Sequence, residues 1–246
     1  PESFWRRSDL PPPHLKWLRE NGELGKAAYG AALVNERQAR EAMALTCGMI
    51  AMIDDAVGAI LDQLEAGGLA DNTIVVFTSD HGDFLGDHGM ILKGPMHYQS
   101  TVRVPFIWAD PRSASPTHSD RMSSSIDIGP TTLDIAGLQA FHGMQGETIL
   151  RPGKREAVLI EDEGNRISLG FPNAPRVRTL VTDRYRISIY LDQAWGELYD
   201  LSTDPGEINN LWDDPLLAGV KASLQFELIQ EMARVCDSNP WPDSLA

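Results

Sequence analysis

The run Thr73-Ile74-Val75-Val76-Phe77-Thr78-Ser79-Asp80-His81-Gly82-Asp83 decides how this chain is read. Its first six residues are β-branched or aromatic, without polar alternation. That is the pattern of a strand covered on both faces, as in a parallel sheet. Before it, Leu45, Met49, Met52, Ile53, Val57, Ile60, Leu61 and Leu64 recur at three- and four-residue steps, predicting a helix from about Asn35 to Ala66. Gly67-Gly68 supplies the helix stop, and Leu69 to Asn72 a short turn. Helix, turn and buried strand make half of an α/β unit.

Ligands of open α/β sheets sit beyond the carboxyl ends of the strands, which is where Asp80 and His81 fall. A carboxylate and an imidazole together can bind a divalent cation, and Gly82 lets the backbone turn sharply away. On spacing alone the other reading stays open: Asp80 capping the turn, His81 an exposed loop residue. Lys93, in a glycine-rich loop returning toward the same strand end, is either an anion contact or a solvated surface lysine. His88 and His97 either line the same cleft or structure the loop. Arg103 holds a loop carboxylate or is an exposed flank. Glu161-Asp162-Glu163 reads as a solvated strand end, and Asp54-Asp55 as helix–loop hydrogen bonding.

Outward from this centre, Val104-Pro105-Phe106-Ile107-Trp108 is a second short strand, with Pro105 at its start or on an edge. Asp127 caps a helix containing Pro130, Leu133 and Ile135 that ends at Gly137. After about residue 150 the character changes. Ala157–Ile160, Val177–Thr182, Arg184–Tyr190 and Glu197–Asp200 predict an antiparallel meander, and Leu217 to Val235 a final amphipathic helix. The expected organisation is α/β: residues 1–150 as part of a mixed sheet flanked by helices, and 151–246 as a smaller α+β domain with an antiparallel sheet.

A net charge of −14 repels phosphate backbones and argues against general nucleic-acid binding. Cys47 reads as a buried thiol, and nothing pairs it with Cys236, so compartment stays open. No apolar run reaches the roughly 18 residues of a membrane span, so no span is expected. The opening Pro1-Glu2-Ser3-Phe4, without Met or a signal peptide, reads like the middle of a longer polypeptide.

The segment from Asp71 to Asp83, continued by Leu85-Gly86-Asp87-His88-Gly89, Lys93-Gly94 and Arg103-Val104-Pro105, resembles the sulfatase family of the alkaline-phosphatase-like superfamily. Met52–Gly58, Ile126–Leu133 with Gly137, and Glu197–Leu201 with Asp204-Pro205, Glu207 and Asn210-Leu211 extend the likeness. The resemblance implies Asp80 and His81 as metal ligands and Lys93 as the contact to a sulfate oxygen. Many sulfatases carry Asn at the second ligand position; histidine there is similar to choline-sulfatase-like and phosphonate-monoester-hydrolase-like members. The implied metal is calcium, with manganese or zinc kept open by the softer imidazole. The implied substrate is a small-molecule sulfate ester, or a phosphonate or phosphate ester. The family's nucleophile is a formylglycine made within a Cys/Ser-x-Pro/Ala-x-Arg motif. Neither cysteine and no serine here fits that motif, so the nucleophile is expected in an upstream part, and this chain by itself is expected to be inactive. A non-catalytic fragment or pseudoenzyme is the rival of another class. Faces that would pack on an upstream half are expected to leave an exposed apolar patch.

Overall fold

The computed structural model describes residues 1–6, 8–21, 30–113, 118–141, 143–151 and 153–236. They form two compact units. The first comprises Pro1–Ser119, Ile167–Asn173 and Gly206–Asn209; the second comprises Asp120–Arg166, Ala174–Pro205 and Asn210–Ala246.

In the first unit, helices α1 (Glu2–Trp5) and α2 (Pro13–Asn21) precede a two-residue strand β1 (Ala32–Leu33) and the long helix α3 (Glu36–Ala66). A capping box starts α3: the Asn35 side chain accepts from the Gln38 amide, and the Gln38 side chain accepts from the Asn35 amide. Gly67 caps its end, and Gly68 takes the left-handed conformation that stops it. Strand β2 (Val75–Thr78) follows, then β3 (Met90–Ile91), which pairs antiparallel with β1. The short helix α4 (Gln99–Val102) leads through Pro105 into β4 (Phe106–Ala109). Phe4, Val34, Ala39 and Ile91 form a small core.

Four expectations are corrected here. The β2 strand pairs antiparallel with β4, from Val75↔Ala109 to Thr78↔Phe106, in a two-stranded sheet. Its central residues Val76 and Phe77 are each 36% exposed; its apolar run describes burial that no second neighbour among the described residues provides. Cys47 is exposed, because the apolar face of α3 is itself open to solvent. Leu45, Met49, Met52, Ile53 and Ile60 are all more than half exposed, the apolar patch expected above. The helix is also long and apolar enough, by length and composition, to cross a membrane. Its uncharged stretch from Ala42 to Ile53 stops at Asp54-Asp55, which are exposed and make no hydrogen bond among the described residues.

In the second unit, Ser125–Asp127 is a 3-10 turn leading into α5 (Ile128–Ile135). Asp127 stands at the α5 N-cap position but does not cap it with its side chain. Instead its buried carboxylate accepts from the Ser124 and Glu147 amides and takes a two-pronged bond from Arg155, 2.7 Å on each side. The predicted meander follows: β5 (Ala157–Glu163), β6 (Arg176–Thr182), β7 (Tyr185–Tyr190) and β8 (Gly196–Asp200), all antiparallel in chain order. The acidic run lies within β5 rather than past it; Glu161 and Glu163 meet Arg178 and Arg176 across the strand pair. Helix α6 (Ala218–Arg234) lays Leu224 and Leu228 against Leu180, Ile187 and Leu198 of the sheet. At that interface each fully buried leucine contributes about 1.5–3 kcal/mol.

Candidate metal and anion site

The site begins where β2 ends. Past Thr78 the chain leaves its ladder, and the Gly82 amide donates to the Thr101 carbonyl at 2.8 Å. A Cβ on Gly82 would stand 2.0 Å from the Ser100 carbonyl oxygen. The glycine that the sequence marks as a sharp turn is therefore required by the close approach of α4's backbone, and its φ is not in the left-handed region.

Asp80 is turned back on its own loop. Its Oδ1 accepts from the His81 amide at 2.9 Å, and Ser79 Oγ approaches the same oxygen at 3.4 Å. That amide bond holds the Asp80 carboxyl below the usual carboxylate range; slight desolvation opposes it, and the charge of the His81 ring adds to it only when the ring is protonated. His81 Nδ1 lies 2.8 Å from the Gly82 carbonyl oxygen. A carbonyl only accepts, so Nδ1 carries the proton. In the neutral ring the lone pair is then on Nε2, 3.2 Å from Asp80 Oδ2. Two potential donor atoms thus lie 3.2 Å apart, within reach of one cation, with the backbone carbonyl orienting the imidazole as partners of metal-binding histidines do. The Asp80 side chain is 81% exposed and that of His81 40%, so the open side of the pair faces solvent. Among the described residues no cluster of three or more His, Cys, Asp or Glu has the geometry to hold a metal. This donor pair fits a divalent cation as part of a ligand set.

Lys93 follows β3 and is exposed, and its amine makes no hydrogen bond or ion pair among the described residues. Its loop is rigidly built. Asp83 Oδ1 accepts from the Leu85 amide at 2.8 Å and from the Leu92 amide at 3.0 Å. The Phe84 amide donates to the Leu92 carbonyl at 2.9 Å, and the Gly86 amide to Met90 at 2.6 Å. Leu85, His88 and Leu92 all have positive φ (43°, 50° and 67°), which is uncommon for such side chains. The Ser3 hydroxyl bonds Asp87 and also receives the His88 amide.

The other two sequence candidates are interior. His88 is buried with its ring 4.3 Å from that of Tyr98, and His97 is buried beside it in sequence. The structure brings Asp80 and His81 together; Lys93 stands on the adjoining loop, bonded to neither. Two residues received no role from sequence. One is Asp83, which accepts the Leu85 and Leu92 amides, a pairing that no local motif announces. The other is Glu207, 2% exposed, whose Oε2 accepts the Gln99 amide at the start of α4 at 2.7 Å.

Residues 19–138 match the family described as Sulfatase, and residues 86–234 match that described as N-sulphoglucosamine sulphohydrolase, C-terminal. The chain belongs to the sulfatase family. Among its relatives, an uncharacterized sulfatase of Escherichia coli, YidJ, is 32% identical over 186 residues, covering 75% of this chain and 37% of that protein. An N-acetylglucosamine-6-O-sulfatase of Bacteroides thetaiotaomicron is 30% identical over 196 residues, covering 76% of this chain and 35% of that protein. The structure of a phosphonate monoester hydrolase of Agrobacterium radiobacter superposes with a TM-score of 0.70 at 30% identity, over 77% of this chain and 41% of that one. This sulfatase chain therefore spans little more than a third of the length of the curated relatives it matches. Its architecture is the α/β one expected, of the alkaline-phosphatase-like kind.

Proposed function

We propose that this chain is the part of a sulfuric ester hydrolase that contributes two metal ligands, Asp80 and His81, and one anion contact, Lys93. The observation that carries the reading is the Nδ1–H to Gly82 carbonyl bond, which leaves Nε2 facing Asp80 Oδ2 at 3.2 Å. A divalent cation there would draw electron density from a sulfate oxygen and fix its orientation. Asp80 offers an ionised oxygen, and His81 a pre-oriented nitrogen. Lys93, on a loop tied to the same segment by Asp83, would donate to a second sulfate oxygen as the S–O ester bond breaks and charge moves to the departing alcohol oxygen. Calcium is the metal the family resemblance implies; the nitrogen donor also suits manganese or zinc. Two protein donors fall short of the four that zinc usually takes and the six to eight oxygens of calcium, so the remaining ligands belong to another segment. With no Cys/Ser-x-Pro/Ala-x-Arg motif, this chain by itself turns over no ester.

Manganese titration of the 246-residue chain, followed by paramagnetic broadening in NMR spectra, tests the metal reading. Broadening should centre on Asp80, His81 and Gly82 and disappear in Asp80→Ala and His81→Ala. Broadening centred elsewhere, or unchanged in both variants, overturns it.

A second reading, a phosphonate or phosphate ester hydrolase, draws on the likeness to the Agrobacterium enzyme and on histidine at position 81. Parallel assays of the whole protein on an aryl sulfate and a phosphonate monoester separate the two by their kcat/KM ratio.

A further inference from the structure

Leu92, immediately before Lys93, sits at φ +67°, a conformation a leucine disfavours by roughly 5- to 30-fold in population. Both of its backbone polar groups are anchored to one short segment: its amide donates to Asp83 Oδ1 and its carbonyl accepts from the Phe84 amide. That segment directly continues the Asp80-His81-Gly82 turn, itself fixed to the Thr101 carbonyl through Gly82. One carboxylate oxygen also receives the Leu85 amide, another residue of positive φ. Asp83 is thus covalently next to the metal-ligand turn and hydrogen-bonded to the residue that launches Lys93. It ties the two ends of one loop, nine positions apart, into a single frame.

We propose that Asp83 is a positioning residue for Lys93, holding the amine's launch point at a fixed place relative to Asp80 and His81. The proposal rests on the reading of Lys93 as the anion contact. The acceptor, not the charge, does the holding: asparagine can accept both amides through its own Oδ1, whereas leucine of similar size accepts neither. Loss of the clamp lets Leu92 relax from its left-handed conformation and frees Lys93 to sample positions away from the metal-ligand turn.

The test uses the full 246-residue chain with calcium and inorganic sulfate as probes. Amide hydrogen exchange is read at Leu85 and Leu92 against the amides of the β2–β4 pair, and sulfate binding is read from the backbone amide shifts of Asp80, His81 and Gly82, which remain observable in every variant. Asp83→Leu should speed exchange at Leu92 by about 10-fold or more relative to the β2–β4 amides and weaken the sulfate response by a similar factor. Asp83→Asn should stay within about 3-fold of the parent chain in both readouts. Leu92→Gly, which removes the conformational penalty without touching the acceptor, should keep the fold while weakening the sulfate response a few-fold. Lys93→Met should abolish that response and leave Leu92 exchange slow. Asp83→Leu behaving like Asp83→Asn, or changing exchange without changing sulfate binding, overturns the positioning role. A sulfate response that survives Lys93→Met, or is missing in the parent chain, removes the Lys93 reading and this role with it. Exchange at Leu92 still reports separately whether the clamp exists.

Discussion

Alanine at position 82 places a methyl group where the Ser100 carbonyl oxygen already stands, 2.0 Å away, with Ser100 C at 3.0 Å and Thr101 Cα at 3.3 Å. All three neighbours are backbone, so no side chain can swing aside. To reach the 3.4 Å at which ordinary contact begins, the Asp80–Asp83 turn and α4 must separate by roughly 1.4 Å. That movement breaks the 2.8 Å Gly82–Thr101 hydrogen bond, a net loss of about 1 kcal/mol. Residual strain from overpacking adds about 1–3 kcal/mol. The expected destabilisation of Gly82→Ala is therefore about 2–4 kcal/mol. Urea denaturation followed by circular dichroism measures it. Gly58→Ala is the matched control: its added Cβ meets nothing within 4 Å on an exposed helix, so it should stabilise by up to about 1 kcal/mol. Manganese broadening at His81 should also weaken in Gly82→Ala, because the carbonyl orienting the ring moves with the turn. A Gly82→Ala midpoint equal to or above that of the parent chain would refute the close-approach account of this glycine.

In the second unit, Arg186 and Glu197 are both fully buried; Glu197 also accepts Tyr190 at 2.5 Å and Tyr199 at 3.0 Å, and Arg186 lies 4.7 Å from the Tyr199 ring centroid. Removing one buried charge of such a pair costs about 3–5 kcal/mol, so Glu197→Gln should show that loss in urea denaturation, and Glu197→Gln with Arg186→Met together should cost less than the sum of the two singles. Asp200 is held down to about 2, first by the side-chain hydrogen bonds from Arg184, with burial opposing and Ser202 assisting. A depressed carboxyl pKa stabilises above the unfolded value and loses that contribution as pH falls through the folded one. The stability gap between the parent chain and Arg184→Met should thus be full at neutral pH and close between the ordinary 3.8 and about 2, as read by acid titration of the circular dichroism signal. Finally, the open apolar face of α3 should make the chain self-associate in sedimentation velocity; Leu45→Glu, Met52→Glu and Ile60→Glu together, all on exposed positions, should return it to monomer.

What the sequence discloses of this site is its covalent part. Asp80 and His81 are neighbours, and the β-branched run before them marks a strand end, so their placement side by side at that end was legible. The clamp that joins them to Lys93 was not. It depends on Leu92 adopting a left-handed conformation that nothing in its side chain favours, stabilised by Asp83 nine positions earlier and not by any local turn residue. Strand pairing of β2 was missed for a related reason: a run of Val, Val and Phe reports a preference for burial, but its antiparallel partner β4 is chosen by long-range register. The four-stranded sheet teaches the complementary point. Leu180, Ile187 and Leu198 alternate with Thr179, Arg186, Ser188 and Glu197, a pattern that ordinarily means one dry face and one wet face. Here both sets are buried. Alternation states which side chains share a face; whether water reaches that face depends on what covers it. A buried polar face is tolerable only when its groups satisfy one another. A short chain of hydrogen bonds from Thr179 through Ser188 and Arg186 to Glu197 and its two tyrosines links these groups, leaving only Arg186 Nη2 of them without a hydrogen bond among the described residues. A face built this way loses far more from one missing partner than a wet face would, so tolerance to substitution, unlike alternation, distinguishes the two.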